Sequence, residues 1–138
     1  MSMTIDFSDF EKGLIKLVKE SEPKATANGL FQAGGRLITD AIEMRPFVPF
    51  DEGTLRGSGR VDPPTTTPSG AEVVVGFNKE YAARWHELTP QEDAKINWTF
   101  DPGSPHRKYL ESKMAMFKEK YMKIVATYLA QVLGGPNV

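Results

Sequence analysis

Apolar residues recur at helical spacing in three stretches of the chain, which predicts three helices. They cover residues 7–20, residues 24–45 and residues 105–133. The last stretch has the most regular pattern, and its apolar stripe fits a helix packed on the chain's own sheet or a coiled-coil seam. That stripe comprises Leu110, Met114, Phe117, Tyr121, Ile124 and Tyr128.

Alternating side chains between the second and third helices predict strands, because successive residues of a strand point to opposite faces. Residues 54–61 alternate apolar or small positions with Arg56, Ser58 and Arg60, which indicates a strand with one wet, cationic face. Residues 71–77 are rich in valine and predict a second strand.

Three further segments complete the predicted fold. A short helix is expected at residues 79–87, a third strand with an aromatic face at residues 94–100, and a projecting loop, rich in proline and threonine, at residues 62–70. The sequence of 138 residues thus predicts one α+β domain. Two N-terminal helices precede a small, mostly antiparallel sheet with an inserted short helix, and a long C-terminal helix packs on the sheet.

The second predicted helix contains Gly29, Gly34 and Gly35, and it must end at Pro46 because proline disfavours helical geometry before it. Each glycine weakens the helix by about 0.5–1 kcal/mol relative to alanine. We expect the close approach of another backbone to compensate, either from within the fold or from a neighbouring subunit.

Composition excludes several classes of protein. A formal net charge of −1 is unlike that of a general nucleic-acid binder, which needs an excess of lysine and arginine. The absence of cysteine excludes disulfides, thiolate metal sites and cysteine nucleophiles. The N-terminal residues lack the pattern of a signal peptide, and no apolar run is long enough for a membrane helix, so we expect a soluble protein.

Residues that could carry chemistry are few. The imidazoles of His86 and His106 could bind zinc together with Glu87, but no second histidine follows His86 one helical turn on. Ser58 lies between two glycines, as in the nucleophile elbow of hydrolases, yet no α/β repeat surrounds it. We therefore expect no catalytic site, no cofactor and no metal.

The arginines of the predicted cationic strand have acidic neighbours. Arg56 and Arg60 lie close in sequence to Asp62 and Glu72, an arrangement that suits ion pairs across a protein interface. Plain solvated charge and contact with DNA are the two other interpretations, and the near-zero net charge disfavours the second.

Short motifs follow one another in a distinctive order along the chain. They are Pro49, Asp51, Gly53, Leu55, Arg56, Ser58, Val75-Gly76, Tyr81-Ala82, Glu87 and the segment Ser104-Pro105-His106-Arg107-Lys108-Tyr109-Leu110. Their order resembles the tail-completion or neck proteins of tailed double-stranded DNA bacteriophages, which are often described as minor capsid or minor tail components. The chain departs from that family at Glu52-Gly53-Thr54 and at Glu87-Leu88-Thr89-Pro90.

The resemblance implies a structural, non-enzymatic virion protein at the head–tail junction, present in the host cytoplasm during assembly. Copies would form a ring, a hexamer or a dodecamer, between connector and tail tube, with neighbouring connector and tail proteins as partners. DNA would pass through without sequence-specific binding, and no membrane would be involved. The expected subunit-interface residues are Arg56, Ser58, Arg60, Asp62, Thr65, Thr66, Thr67 and Glu87.

Two other functions stay open on the sequence. One is a small hydrolase-like enzyme that works through His86, Glu87 and Ser58. The other is a monomeric assembly chaperone or binding module that is absent from the finished particle.

Overall fold

A computed structural model of the chain describes residues 2–6, 23–49, 54–67, 70–77, 82–98 and 100–134. The α+β class is confirmed: helices accompany a small antiparallel sheet, and a long helix lies near the C-terminus. The helix predicted at residues 7–20 lies outside the described residues. None of the described helices combines the length and apolar character needed to cross a membrane.

Strands and helices are interspersed along the described part of the chain. The strands are β1 (Ser2–Asp6), β2 (Gly59–Val61), β3 (Thr65–Thr67) and β4 (Gly70–Phe77). The helices are α1 (Pro23–Glu43), α2 (Thr54–Gly57), α3 (Ala82–His86), α4 (Pro90–Lys95) and α5 (Glu111–Leu129), and a π-helical turn, Ala130–Gly134, follows α5.

Strand β4 is the centre of the sheet. Its Gly76 faces Ser2 of β1 on one side and Arg60 of β2 on the other, both in antiparallel register. Strand β3 pairs with the first half of β4, on the same side as β2, with Thr65 opposite Glu72. The predicted strand at residues 71–77 is therefore present, whereas the sequence did not indicate β1.

The segment that separates β2 from β3 is a bulge rather than a long loop. Val61 lies opposite Val75 and Thr65 opposite Glu72, so residues 62–64 on one strand face residues 73–74 on the other. One extra residue on one side of a pair defines a bulge. The prediction of an irregular projecting loop over residues 62–70 is wrong at β3, because these threonines pair with β4.

Helix α1 forms the middle layer of the fold, between the sheet and α5. The buried side chains of β4, among them Val73 and Val75, point toward α1, and its Leu30 and Leu37 are fully buried. Helix α5 packs mainly against α1. The predicted packing of the C-terminal helix directly on the sheet is corrected accordingly, because α1 covers the sheet first.

Two of the three glycines of α1 allow these close contacts. A Cβ built on Gly29 would lie 3.3 Å from Val125 Cγ1 of α5, and one built on Gly34 would lie 3.0 Å from Val75 Cγ1 of the sheet. Apart from the backbone of α1 itself, no atom of the described residues lies within 4 Å of a Cβ built on Gly35. The expected close approach thus comes from within the fold at Gly29 and Gly34.

The contrast between Gly34 and Gly35 gives a matched pair of substitutions. Gly35→Ala should raise the free energy of unfolding by about 0.5–1 kcal/mol, because alanine favours the helix and meets open space. Gly34→Ala should lower it by about 1 kcal/mol, because crowding against Val75 outweighs the gain in helix propensity. Thermal or urea denaturation of both variants measures the difference, and equal effects would contradict the assigned packing.

Residues 54–61, predicted as one strand, divide into the short helix α2 and strand β2. Leu55 is fully buried, and both the backbone N–H and the hydroxyl of Ser58 donate to its carbonyl oxygen, at 3.1 and 2.7 Å. This turn places Arg56 and Ser58 off the strand. The predicted cationic strand face of Arg56, Ser58 and Arg60 is therefore wrong, because the chain forms a helical turn, closed by the bonds of Ser58 to Leu55 O, before β2 begins.

The strand predicted at residues 94–100 is also wrong. Thr89 and Glu92 form a capping box at the start of α4, in which the Thr89 hydroxyl accepts from Glu92 N–H at 3.1 Å and Glu92 Oε1 accepts from Thr89 N–H at 3.0 Å. The helix runs to Lys95, so the apparent alternation of Ile96 and Trp98 begins where the helix ends. A capping signal in the sequence thus prevails over a short aromatic alternation.

Of the short helix predicted at residues 79–87, the described part is helical as α3. The final helix, predicted from residue 105, instead begins at Glu111. Lys108 has a positive φ of 54°, and the backbone N–H groups of His106 and Arg107 donate to the carboxylate of Asp93, both at 2.8 Å. These tertiary bonds hold the chain in a turn where the sequence predicted the first turn of the helix.

The buried face of α5 also differs from the predicted stripe. Phe117 has a non-helical backbone, with φ −122° and ψ 23°, which changes the phase of the helix after it. Beyond that kink Val125 and Leu129 are buried, while Ile124 and Tyr128 of the predicted stripe are only half-buried. The kink turns Val125 toward Gly29 of α1, which explains the shift.

Candidate functional site

His86 lies at the end of α3 and is fully buried. The backbone N–H of Glu111 donates to its Nε2 at 3.2 Å, so the ring proton lies on Nδ1, which donates to Glu87 Oε1 at 2.8 Å. Burial lowers the pKa of His86, although the Glu87 carboxylate opposes that effect. The imidazole is thus held neutral, with both nitrogens engaged, between α3 and the first residue of α5.

Lys108 lies beside this histidine and bridges two carboxylates. Its ammonium contacts Glu87 Oε2 and lies 3.2 Å from Glu111 Oε2. The hydrogen bond to Glu87 raises the pKa of Lys108, and the same bond, followed by that from His86, lowers the pKa of Glu87. His86, Glu87, Lys108 and Glu111 are named the His86 cluster below.

The His86 cluster also contains the single group of three potential metal ligands found among the described residues. Ligand atoms of His86, Glu87 and Glu111 lie within 4.8 Å of one another. The Lys108 ammonium already contacts both carboxylates, however, and offsets one of their two negative charges. The nitrogens of His106 lie elsewhere, 3.0 Å from Phe47 O and 3.4 Å from Asp101 O. The two histidines therefore do not converge.

Asp93 organises the neighbouring segment. This buried carboxylate accepts from Trp98 Nε1 at 2.8 Å and from the backbone N–H groups of His106 and Arg107 at 2.8 Å each. The Trp98 ring also packs on His106, with centroids 4.7 Å apart, and on Trp85, 5.5 Å apart. The Asp93 side chain thus holds two irregular segments, one at Trp98 and one at His106 and Arg107, against α4.

A cavity of about 500 Å³ opens beside Asp93 and the His86 cluster. Its walls are mainly apolar, and Arg107 and Lys108 provide its positive charge. Arg107 Nε donates to the carbonyl oxygen of Leu88, which holds the Arg107 side chain in place. The lining residues are Pro46, Pro90, Asp93, Ala94, Ile96, Trp98, Gly103, Ser104, Pro105, Arg107, Lys108 and Ser112.

Lys113 on α5 is fully buried close to this cavity. Its ammonium donates to Pro46 O at 2.6 Å, to Tyr109 O at 3.2 Å and to Ser112 Oγ at 3.3 Å. Burial lowers the pKa of Lys113 to about 8, and the charge of Asp40 opposes that effect. Three donors meet three acceptors, so Lys113 ties α5 to the segment that follows α1.

A second buried charge, Asp40, joins α1 to α5 at another place. Tyr121 donates its hydroxyl hydrogen to Asp40 Oδ2 at 2.7 Å, and the Lys120 ammonium lies 2.9 Å from the same oxygen. Arg36 Nε lies 3.3 Å from Oδ1. Burial and the bond to Asp40 together raise the pKa of Tyr121. These contacts offset part of the cost of burying the Asp40 carboxylate, because Oδ1 has the ionic contact with Arg36 but no hydrogen bond to the described residues.

Five of the predicted interface residues lie together on the β2–β3 side of the sheet. Arg60 Nε lies 3.0 Å from Asp62 Oδ1, and Thr65 and Thr66 are exposed while Thr67 is half-buried. They remain candidates for a subunit contact.

The three other predicted interface residues lie elsewhere. Arg56 donates from Nη2 to Ile42 O at 3.0 Å and its guanidinium lies over the Phe100 ring, 4.4 Å from the centroid. Ser58 closes the turn after α2, and Glu87 belongs to the His86 cluster. The fold therefore does not bring these three side chains to the β2–β3 side.

Sequence reasoning missed Asp40, Asp93 and Lys113, the buried charges that organise the fold. Two of them had a visible signal. Asp40 directly precedes Ala41 on the buried face of α1, and Lys113 lies on the same helical face as Leu110. A charge on an apolar stripe is rarely buried without a partner, so such positions point to internal ion pairs or hydrogen bonds.

Comparisons with known proteins were made at the levels of sequence and structure. No protein-family model, no curated protein and no solved structure matches this chain.

Proposed function

We propose that this protein is a structural component of the head–tail junction of a tailed double-stranded DNA bacteriophage. Copies would assemble as a ring, a hexamer or a dodecamer, between the connector and the tail tube. The observation that carries the proposal is the order of short motifs that resembles neck and tail-completion proteins, from Pro49 through Ser58 to Val75-Gly76 and Glu87.

The positions of the motif residues in the fold support a structural role. Leu55 is fully buried, Ser58 closes the turn that follows it, and Gly76 lies between two neighbouring strands in the centre of the sheet. Glu87 holds Lys108 and His86 in the His86 cluster. These residues shape the backbone and join elements of the fold. A subunit with a structural role requires such positions.

Hydrogen bonding at the candidate catalytic residues favours this role over a hydrolase. The hydroxyl of Ser58 donates to Leu55 O, and both nitrogens of His86 are engaged with Glu87 and Glu111. A serine nucleophile must lie within hydrogen-bond reach of its base. These hydrogen bonds support the proposal of a non-enzymatic virion component.

A ring also requires two different complementary surfaces, because a head-to-tail contact repeats around a closed circle. We assign one of them to the β2–β3 side of the sheet, with Arg60, Asp62 and β3. Arg60 and Asp62 are partly exposed, at 31% and 42% of their side-chain area, and can exchange partners with a neighbour.

The test is to delete the gene from the phage genome that carries it and to examine the particles by electron microscopy. Filled heads and complete tails that do not join are expected, and the wild-type gene in trans should restore joined particles. A variant with Arg60→Glu should fold but restore joining poorly. Lys95→Glu, an exposed change on α4, is the matched control and should restore it fully.

Two results would contradict the proposal. Joined, infectious particles without the gene would exclude a required role at the junction. A protein that is needed for joining but absent from purified virions would instead be an assembly chaperone.

A further inference from the structure

A groove between α1 and α5 has a distinct chemical character. Its volume is about 620 Å³, and it is lined from α1 by Gln32 and Arg36 and from α5 by residues that include Lys120 and Lys123. None of the described side chains that line it is acidic. The whole chain has a net charge of −1, so this concentration of cations is local.

A buried carboxylate lies against two of the three cations of this groove. Asp40 lies beneath it, within 3.3 Å of Arg36 Nε and 2.9 Å of Lys120 Nζ, and its side chain is 1% exposed. Lys123 is exposed, and among the described residues no carboxylate lies within ion-pair distance of it. The groove therefore keeps an excess of positive charge, with Arg36 and Lys120 held in place from below.

The floor of the groove is apolar. Ile124 and Tyr128 are half-buried there, and two exposed residues, Thr127 of α5 and Gln131 of the π-helical turn, add hydrogen-bonding groups. A groove between two helices with an apolar floor and a charged rim suits an amphipathic helix of opposite charge. Duplex DNA would instead need several phosphate contacts over a broad cationic surface.

We propose that this groove between α1 and α5 binds an acidic, amphipathic helical segment of a partner protein. Carboxylates of the segment pair with Lys123, Arg36 and Lys120, and its apolar residues cover Ile124 and Tyr128. The inference depends on this groove alone and holds whether or not the protein forms a ring.

The test uses the isotope-labelled full chain and a synthetic peptide with glutamate and leucine at helical spacing. Titration should shift backbone amide resonances around Arg36, Lys123 and Thr127, with no comparable shifts on the sheet. Binding should disappear near 1 M salt, where the screening length is about 3 Å. A peptide with lysine in place of each glutamate should not bind, because it carries the same charge as the groove.

The variant Lys123→Glu with Gln131→Glu should weaken peptide binding by about tenfold or more, since it removes one ion pair and adds repulsion. It leaves Arg36 and Lys120 in place, so the contacts of Asp40 are kept. Lys118→Glu, an exposed change on α5 outside the groove, is the matched control and should bind as the wild type does. Melting temperatures of both variants check that they fold.

Three outcomes would overturn the proposal. The glutamate peptide could cause no shifts at low salt, or the groove variant and the Lys118→Glu control could bind it equally well. A short DNA duplex could also bind the same groove more tightly than the peptide, with a steeper salt dependence, which would make the site a nucleic-acid surface.

Discussion

Replacement of Tyr109 by alanine should lower the free energy of unfolding by about 3–5 kcal/mol. Tyr109 is fully buried, and its ring packs edge-on against Phe77 of the sheet and His86 of α3, with centroid distances of 5.6 and 4.9 Å. Its removal leaves a cavity where the sheet, α3 and the start of α5 meet. Urea denaturation followed by circular dichroism measures the loss.

The control for this prediction is Tyr109→Phe, which keeps the ring. It removes the hydrogen bond from the hydroxyl to Ala82 O, 2.7 Å long, and should cost about 1 kcal/mol. A loss of only about 1 kcal/mol for alanine as well would mean that the ring is not part of the core.

Replacement of Asp93 by alanine should lower the free energy of unfolding by about 3 kcal/mol or more, because each buried donor left without an acceptor costs about 1–3 kcal/mol. The substitution removes the acceptor of the indole N–H of Trp98 and of the backbone N–H groups of His106 and Arg107. The fluorescence of Trp98 should shift to longer wavelength as water reaches the ring. Denaturation curves and emission spectra measure the two effects.

The neighbouring acid Glu92 provides the matched control. Glu92→Ala removes only the capping bond from Thr89 N–H, on an exposed residue, and should cost no more than about 1 kcal/mol. Equal losses for the two acids would contradict the central position of Asp93.

Both predictions concern the segment that joins α4 to α5. The described residues 96–98 and 100–110 contain no helix or strand. They are held by hydrogen bonds from the backbone N–H of His106 to the Asp93 carboxylate, from the backbone N–H of Lys108 to His86 O and from the Tyr109 hydroxyl to Ala82 O. His106, Lys108 and Tyr109 each donate a hydrogen bond to a different one of these three acceptors. Buried polar contacts therefore hold the walls of the cavity beside α4. Each of the two substitutions removes part of these contacts.

The sequence by itself determined the long, strongly patterned elements. Helix α1, strand β4 and helix α5 lie close to their predicted positions, and α1 ends at Glu43, shortly before Pro46. Local physics decides such features: an apolar face of many residues can be buried in one regular conformation only, and proline stops a helix wherever it occurs. The glycines of α1 likewise predicted a close contact before its partner was known.

Short segments were decided by competition with the rest of the fold. The alternation in residues 54–61 and 94–100 is compatible with strands, but helical turns form in both segments instead. Ser58 bonds to Leu55 O in the first, and Thr89 and Glu92 form a capping box before the second. The capping box was visible in the sequence and could have been used. The helical turn at Leu55 has no comparable signal, because a buried Leu55 fits the apolar face of a strand as well as that of a helical turn.

Tertiary structure alone decided which distant groups meet. Strand β1 pairs with the middle of β4, Asp40 meets Tyr121, and Lys113 reaches Pro46 O. Periodicity shows which face of an element is buried but not what covers it, and a buried charge is tolerated only where the fold brings hydrogen-bond partners to it. The sequence therefore predicted the layers of this protein, and only the packed structure fixed their partners and the polar contacts that join them.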